Sequence, residues 1–276
     1  MNNPCVALEY DMPGLSIDTR ADISHIVINS VITQPIILPE ATKIFICVKN
    51  NAQVHLVAPN GNIELVLERG AQAYCYGLSN TRLNLCARVH AEANLAVANF
   101  NLGTKSSQSL INIELLEHEA ETSFLGFDQL AQTQTSSLRL HIIHKTAHTK
   151  STQSFRGIYA GESLGFFAGK VSVDPHAKNS AASQLYKALI LSERARAHVK
   201  PELEINNFDI TASHGASIGQ LDKEALFYLC SRGLSKEAAQ KILVSSLAQD
   251  ILQEIHPVMR DFISAQVELS WEALHD

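Results

Sequence analysis

From about residue 41 to residue 205 the chain alternates apolar and polar positions in short runs. Ile44-Phe45-Ile46-Cys47-Val48, Ile63-Glu64-Leu65-Val66-Leu67 and Arg82-Leu83-Asn84-Leu85-Cys86-Ala87-Arg88-Val89 are early examples. Leu110-Ile111-Asn112-Ile113-Glu114-Leu115, Leu138-Arg139-Leu140-His141-Ile142 and Gly169-Lys170-Val171-Ser172-Val173 continue the series. A period of two sends one side-chain set inward and the other outward, so each run predicts a half-buried strand. Between the runs stand turn-prone stretches such as Pro59-Asn60-Gly61-Asn62, Arg69-Gly70-Ala71 and Asp174-Pro175-His176-Ala177. No amphipathic helix of crossover length interrupts them, which argues against a parallel sheet wound through helices. Two all-β arrangements fit, a sandwich or a coil of stacked strands. Strand-turn units recurring at roughly 20-residue intervals favour the coil.

After Asp222 the period changes. Asp222 caps a short helix that contains Phe227 and Tyr228 and ends at Arg232-Gly233. Ser235 caps a second, with Ala239, Ile242, Leu243, Leu247 and Ile251 as its apolar stripe. A third is predicted over 257–274, with Val258, Phe262, Ala265, Leu269 and Ala273 as its buried positions. The chain thus divides into a short or irregular N-terminal segment (1–40), a β core (41–221) and C-terminal helices (222–276). The helices either fold back on the core or present a groove to a partner.

Composition removes several classes of function. The 276 residues are 46% hydrophobic and 18% charged, which suits a sizeable folded core. A formal charge of -6 without a basic run argues against nucleic acid as a partner. No apolar stretch reaches the roughly 18 residues of a membrane helix, and the first fifteen residues do not read as a secretory signal. Cys5, Cys47, Cys75, Cys86 and Cys230 are odd in number and irregular in spacing, so neither a disulfide framework nor a zinc site is expected, and a reducing cytoplasm fits.

Few residues invite a chemical reading. His141, His144 and His148 would share one face of a helix. Their strand context sends His141 and His144 to opposite faces, so solvated or turn histidines are expected rather than a metal site. Glu117-His118-Glu119-Ala120 lies between strands and reads as a surface turn. Gly165-Phe166-Phe167-Ala168-Gly169-Lys170-Val171 has neither the spacing nor the strand-to-helix context of a phosphate loop. Cys230 reads as a small buried hydrophobe. His214, in Ser213-His214-Gly215-Ala216, can offer one imidazole to iron, and one residue does not complete a site.

Several ordered blocks together resemble the C-terminal half of the SufB/SufD family of iron–sulfur cluster assembly. They are Ser154-Phe155-Arg156-Gly157, Phe167-Ala168-Gly169-Lys170, Leu189-Ile190-Leu191-Ser192, Lys200-Pro201-Glu202-Leu203-Glu204-Ile205, Ser213-His214-Gly215, Phe227-Tyr228-Leu229 and Arg232-Gly233. The resemblance runs from about residue 147 to 251. It implies a right-handed parallel β-helix followed by a C-terminal helical subdomain, with the N-terminal helical region of longer members reduced or missing. The likeness is to SufD more than to SufB. Leu185, in Ser183-Gln184-Leu185, stands where SufB-type chains carry a cluster-building cysteine. Gly215 stands where they carry glutamate. Ala212 occupies a place that is often cysteine in SufD-type chains.

The resemblance further implies a non-enzymatic scaffold in the cytoplasm. It would pair with a SufB-like subunit through the β-helix and dock a SufC-like ATPase through Phe227, Tyr228, Ile242, Leu243, Leu247 and Ile251. His214 would face the paired subunit and meet iron or a nascent cluster in transit. No cofactor is expected to stay on this chain alone, and the sequence speaks neither for nor against a flavin. Two alternatives stand beside this reading: a β-helix polysaccharide lyase or hydrolase, and a homodimeric scaffold.

Overall fold

The computed structural model describes residues 6–7, 12–20, 23–39, 43–58, 61–78, 82–103 and 106–271. In chain order these form β1 (Val6–Ala7), β2 (Leu15–Arg20), β3 (Ile23–Ile28), β4 (Ile36–Ile37), β5 (Lys43–Val48), β6 (Gln53–Ala58), β7 (Gly61–Leu67), β8 (Gln72–Leu78) and β9 (Leu83–Val89). There follow β10 (Asn94–Leu102), β11 (Ser106–Leu115), β12 (Glu121–Leu130), β13 (Thr135–His144), β14 (Lys150–Tyr159), β15 (Leu164–Val173), β16 (Ser180–Ile190), β17 (Arg196–Ile205) and β18 (Ile210–Gln220). The helices α1 (Lys223–Ser231), α2 (Lys236–Leu252) and α3 (Pro257–Ser270) close the described chain.

From β3 onward, consecutive strands go to opposite sheets. One sheet runs β1-β4-β6-β8-β10-β12-β14-β16-β18 and the other β17-β15-β13-β11-β9-β7-β5-β3-β2. Pairing within each sheet is parallel except between β2 and β3. Each circuit of the chain therefore lays one strand on each side, which makes a parallel β-helix with two long walls. It is the stacked coil expected from the strand pattern, and not a sandwich.

The coil starts earlier than residue 41. β2 and β3 fall in the segment read as short or irregular, yet β3 pairs in parallel with β5. The reason is local: Ile23-Ser24-His25-Ile26-Val27-Ile28 alternates like every later strand, burying Ser24, Ile26 and Ile28. The repeat is also not constant. Ile44 pairs with Ile63, nineteen positions on; Ile63 with Leu85, twenty-two on; Ile111 with Leu140, twenty-nine on; and Gly169 with Pro201, thirty-two on. The strands lengthen from six residues in β5 to eleven in β16 and β18.

One corner of the coil is built the same way in many turns. Asn51, Gly70, Glu92, Glu119, His148 and Asn179 all have φ between 53° and 68°, and each is followed by a small buried residue. Those residues are Ala52, Ala71, Ala93, Ala120, Thr149 and Ser180. A left-handed residue turns the chain, and the small side chain then stacks inside. Successive corners are also tied together: Asn51 N–H donates to the Arg69 carbonyl at 3.0 Å, Gly70 N–H to Ala91 at 2.9 Å and Glu92 N–H to His118 at 3.1 Å. At Gly70 a Cβ would sit 2.3 Å from Asn51 Oδ1, so a larger residue at this left-handed corner needs that carboxamide to swing away.

Inside the narrow coils, Ile44, Ile63, Leu85, Ile111 and Leu140 stack in one register. The wide coils are filled by aromatic rings. Phe155 stands 4.8 Å from Phe167 and stacks at 5.2 Å on Tyr186. Gly165 leaves room for Tyr159, whose ring would come within 2.3 Å of a Cβ there.

The helices fold back on the outward face of the even-numbered sheet. Val57, Tyr76, Phe100, Leu125, Phe127 and Ile158 meet Val244, Ala248, Ile251, Met259, Ile263 and Val267. The caps match expectation: Asp222 Oδ1 accepts from Glu224 N–H at 2.8 Å, and Ser235 Oγ accepts from Ala238 N–H at 3.2 Å. Gly233 ends α1 at φ 95°. The buried stripes do not match throughout. α2 buries Ala239, Val244, Ala248 and Ile251, whereas Ile242 is exposed. α3 buries Met259, Ile263 and Val267, whereas Val258 and Leu269 face out. Both helices carry apolar residues on more than one face, so the stripe chosen by spacing alone was rotated. Ala273 lies outside the described residues.

Candidate functional site

The last circuit of the coil, β17 and β18, has no successor among the described residues. Each pairs on one side only, β17 with β15 and β18 with β16. Such edges present a row of unpaired N–H and C=O groups and invite a further strand. Large apolar side chains are exposed around this end. Phe208, between the two strands, is fully exposed, and Leu185, Ile205 and Ile218 are exposed at 40–48%.

His214 lies in the middle of β18 and is exposed. Its position follows from register. Gln153 on β14 aligns with Gln184 on β16, which aligns with His214. Aligned residues of a parallel sheet share a face. Gln153 and Gln184 are buried inside the coil, where Gln184 Nε2 donates to Gln153 Oε1 at 3.0 Å and to the Gly169 carbonyl at 3.1 Å. His214 extends this inward-facing column into the open final coil. Leu185 and Ala212 beside it offer no metal ligand. Among the described residues, no group of three or more His, Cys, Asp or Glu is placed to hold a metal ion. His214 is the imidazole that the inward-facing column brings to the open final coil.

The residues assigned to ATPase docking separate into two sets. Phe227 and Tyr228 on α1 are 74% and 57% exposed, and Ile242 on α2 is 48% exposed. The Arg232 guanidinium lies over the Tyr228 ring at 5.2 Å. Leu243 and Leu247 are half-buried, and Leu247 packs against the cluster under the helices. Ile251 is at 0% exposure in that cluster and is corrected from docking residue to core residue. It belongs to the face of α2 that covers the sheet.

The histidine cluster resolves differently from the expectation of solvated or turn residues. His141 does face outward on β13, within 2.9 Å of Ser172 Oγ. His148 is in a corner turn. His144 is fully buried, with Nδ1 2.8 Å from Thr149 Oγ1 and Nε2 2.8 Å from Ser151 Oγ. Burial depresses its pKa to about 4. Glu117-His118-Glu119-Ala120 is the surface turn it was read as, and residues 165–171 lie in β15. Cys230 is half-buried rather than buried, and Cys75 is the cysteine whose thiol burial pushes up to about 12.

Sequence reasoning missed a buried polar cluster in the wide coils. Asp128 accepts from Ser136 Oγ and from Tyr159 OH, both at 3.1 Å, and Tyr159 OH lies 3.3 Å from Tyr186 OH. Burial pushes the carboxyl up to about 7 against the pull of its hydrogen bonds from Ser136, Tyr159 and Asn101. The cluster ties three circuits together. The one signal for it was a polar residue at an inward position of the apolar run Phe124-Leu125-Gly126-Phe127-Asp128.

The family model for the SUF system FeS cluster assembly SufBD core domain matches residues 35–247. The chain belongs to the SufBD core family. An iron–sulfur cluster assembly SufBD family protein of Synechocystis is 36% identical over 155 residues, covering 56% of this chain and 34% of that protein. The iron–sulfur cluster assembly protein SufD of Escherichia coli is 28% identical over 138 residues, 49% of this chain and 33% of its own length. SufD of Bacillus subtilis is 31% identical over 122 residues, 44% and 28% respectively. The matched stretches span about a third of the length of these relatives. The match reaches well N-terminal of residue 147, where the resemblance of motifs begins, in line with the early start of the coil.

Proposed function

We propose that this chain is a SufD-like scaffold subunit of cytoplasmic iron–sulfur cluster assembly, without catalytic chemistry of its own. The uncovered final coil supports this most directly: two free sheet edges, exposed apolar side chains and His214 lie on one surface. That surface takes the β-helix of a SufB-like subunit, and His214 lends one imidazole to iron or a nascent cluster as cargo. The other ligands come from the partner. Phe227, Tyr228 and Ile242, with the exposed parts of Leu243 and Leu247, form the docking face for a SufC-like ATPase. Because α2 is pinned to the sheet through Val244, Ala248 and Ile251, a pull on α1 and α2 would reach the coil through a packed interface.

Co-expression with a SufB-like and a SufC-like subunit tests both surfaces. The expected result is a three-component complex stable at moderate salt. Phe227→Asp combined with Ile242→Asp should release the ATPase and keep the SufB-like partner. His214→Ala should keep both and weaken the imidazole signature on iron bound by the complex by the one ligand this chain contributes. A chain that elutes alone at moderate salt rejects the assignment, and elution as a dimer of itself favours the homodimeric scaffold.

A further inference from the structure

The outward face of the even-numbered sheet holds a stack of rings that stops short. Register aligns His55, Tyr74, Ala96 and Ser123 in one outward row. Side chains of such a row repeat at the strand spacing of about 4.8 Å, so flat rings on successive strands stack face to face. The His55 and Tyr74 rings do so, with centroids 4.4 Å apart and planes 8° apart. The next two places of the row, Ala96 and Ser123, carry no ring. In the neighbouring row Tyr76 is followed by Ala98 in the same way, and its ring lies within 7° of the His55 plane.

A hollow of about 200 Å³ fills this step. Ala96, Ala98 and Ser123 are its floor, and Tyr74 and Tyr76 its flat side. Glu254, Ile255 and His256, where α2 gives way to α3, form its roof. The His256 ring is 4.6 Å from His55 and 4.7 Å from Tyr74, tilted by 56° and 55°. Being almost equidistant from the two, it straddles their edges and leaves the far face of Tyr74 to the hollow. It is fixed there as the cap of α3, its Nδ1 accepting from Val258 N–H at 3.3 Å. The polar groups of the lining are Asn94, Ser123 and the Glu254 carboxylate. Glu254 already meets the Ser154 hydroxyl and the charge of Arg156. A carboxylate has acceptor sites for further donors, so these neighbours do not close it. The hollow is smaller than the roughly 300 Å³ of a drug-sized site and takes one ring or a small fused pair.

We propose that this slot binds a flat heteroaromatic ring with N–H donors along one edge. The ring continues the His55–Tyr74 stack above Ala96, and its donor edge meets Glu254. The site goes beyond the scaffold reading and is independent of it, because neither the open final coil nor the exposed faces of α1 and α2 take part. Ligand-observed NMR titration of the purified chain with 2-aminobenzimidazole tests it. Benzoate, flat with an acceptor edge, and cyclohexylamine, a donor without a flat face, are the control compounds. Saturable binding of 2-aminobenzimidazole is expected at about 1 mM or below, with both controls weaker by about tenfold or more. Ala96→Leu fills the slot and should weaken binding about tenfold or more while leaving the urea midpoint close to that of the parent. Ser123→Leu fills it from the next strand and makes the same test if the first variant does not fold. Tyr74→Leu removes the stacking face and should weaken binding about fivefold. Arg69→Gln, at an exposed corner paired with Glu92, should leave binding unchanged. No saturable binding of 2-aminobenzimidazole, equal binding of either control, or binding indifferent to the slot-filling variants overturns the proposal. The titration needs no Suf partner, so failure of the scaffold reading would not alter its outcome.

Discussion

The two walls of the β-helix are built from strands of the same period and meet water in opposite ways. On the even-numbered wall the outward row Leu78, Phe100 and Phe127 is apolar and lies under α2 and α3. On the odd-numbered wall the corresponding rows carry Lys43, Asn62, Asn84 and Arg139, or Glu64, Asn112, His141 and Lys170. Inward side chains make the coil. Outward ones decide which wall is covered, because a helix transfers apolar area from water on one wall and would strand charges on the other. The covered wall is held to the helices by a packed apolar layer. The open one faces solvent.

The sharpest way to break this contrast is to charge the covered wall. Ile263→Asp places a carboxylate in the apolar layer between α3 and the sheet and should cost about 3–5 kcal/mol, read as a lowered urea midpoint with early proteolysis of the helices. Asn112→Asp on the open wall should stay within about 0.5 kcal/mol. Equal effects would mean that the helices do not rest where they are placed.

A pH series sharpens the comparison. His55, 1% exposed on the covered wall, is within 3.2 Å of Tyr76 OH, stacks on Tyr74 and meets the His256 ring at 4.6 Å. Burial, and secondarily His256, lowers its pKa to about 4. Its folded pKa is below its unfolded value of 6.5, so the unfolded chain takes up the proton first as pH falls. The stabilisation is present above pH 6.5 and is lost as pH drops toward 4. Thermal midpoints measured from pH 8 to 4 should therefore fall, and His55→Gln should remove about 2 kcal/mol of that dependence. His141 on the open wall is lowered too, mainly by burial, but only half-buried, so His141→Gln should flatten the curve less. A larger effect at His141 would reverse the assignment of walls.

A small effect is also expected at the open wall's ion pairs. Lys43→Ala removes the pair with Glu64, whose side chains are 39% and 35% exposed, and should cost less than about 1 kcal/mol. The loss should fade at high salt.

Part of this was legible in the order of residues. Leu83-Asn84-Leu85-Cys86-Ala87-Arg88-Val89 alternates as a half-buried strand should. The caps at Asp222 and Ser235 and the stop at Gly233 are local chemistry and were read correctly. The stripe of α2 was legible in part: Ala239 and Ile251 are buried as expected, but Ile242 and Ile251 are equally apolar, and only contact with the sheet separates the exposed one from the buried one. His144 and Asp128 were illegible for a similar reason. Their hydrogen-bond partners, at Thr149 and Ser151 or at Ser136 and Tyr159, are joined by the turn of the coil. His214 was visible by its motif, but its place at an uncovered edge was not.

By itself the sequence determined the alternation, the corners and the helix ends, since each depends on neighbours a few residues apart. Tertiary structure decided which coil is last, which wall the helices cover and which polar groups lose water. Those outcomes depend on residues brought together by a circuit that widens from nineteen to thirty-two positions, a distance over which no local pattern carries information.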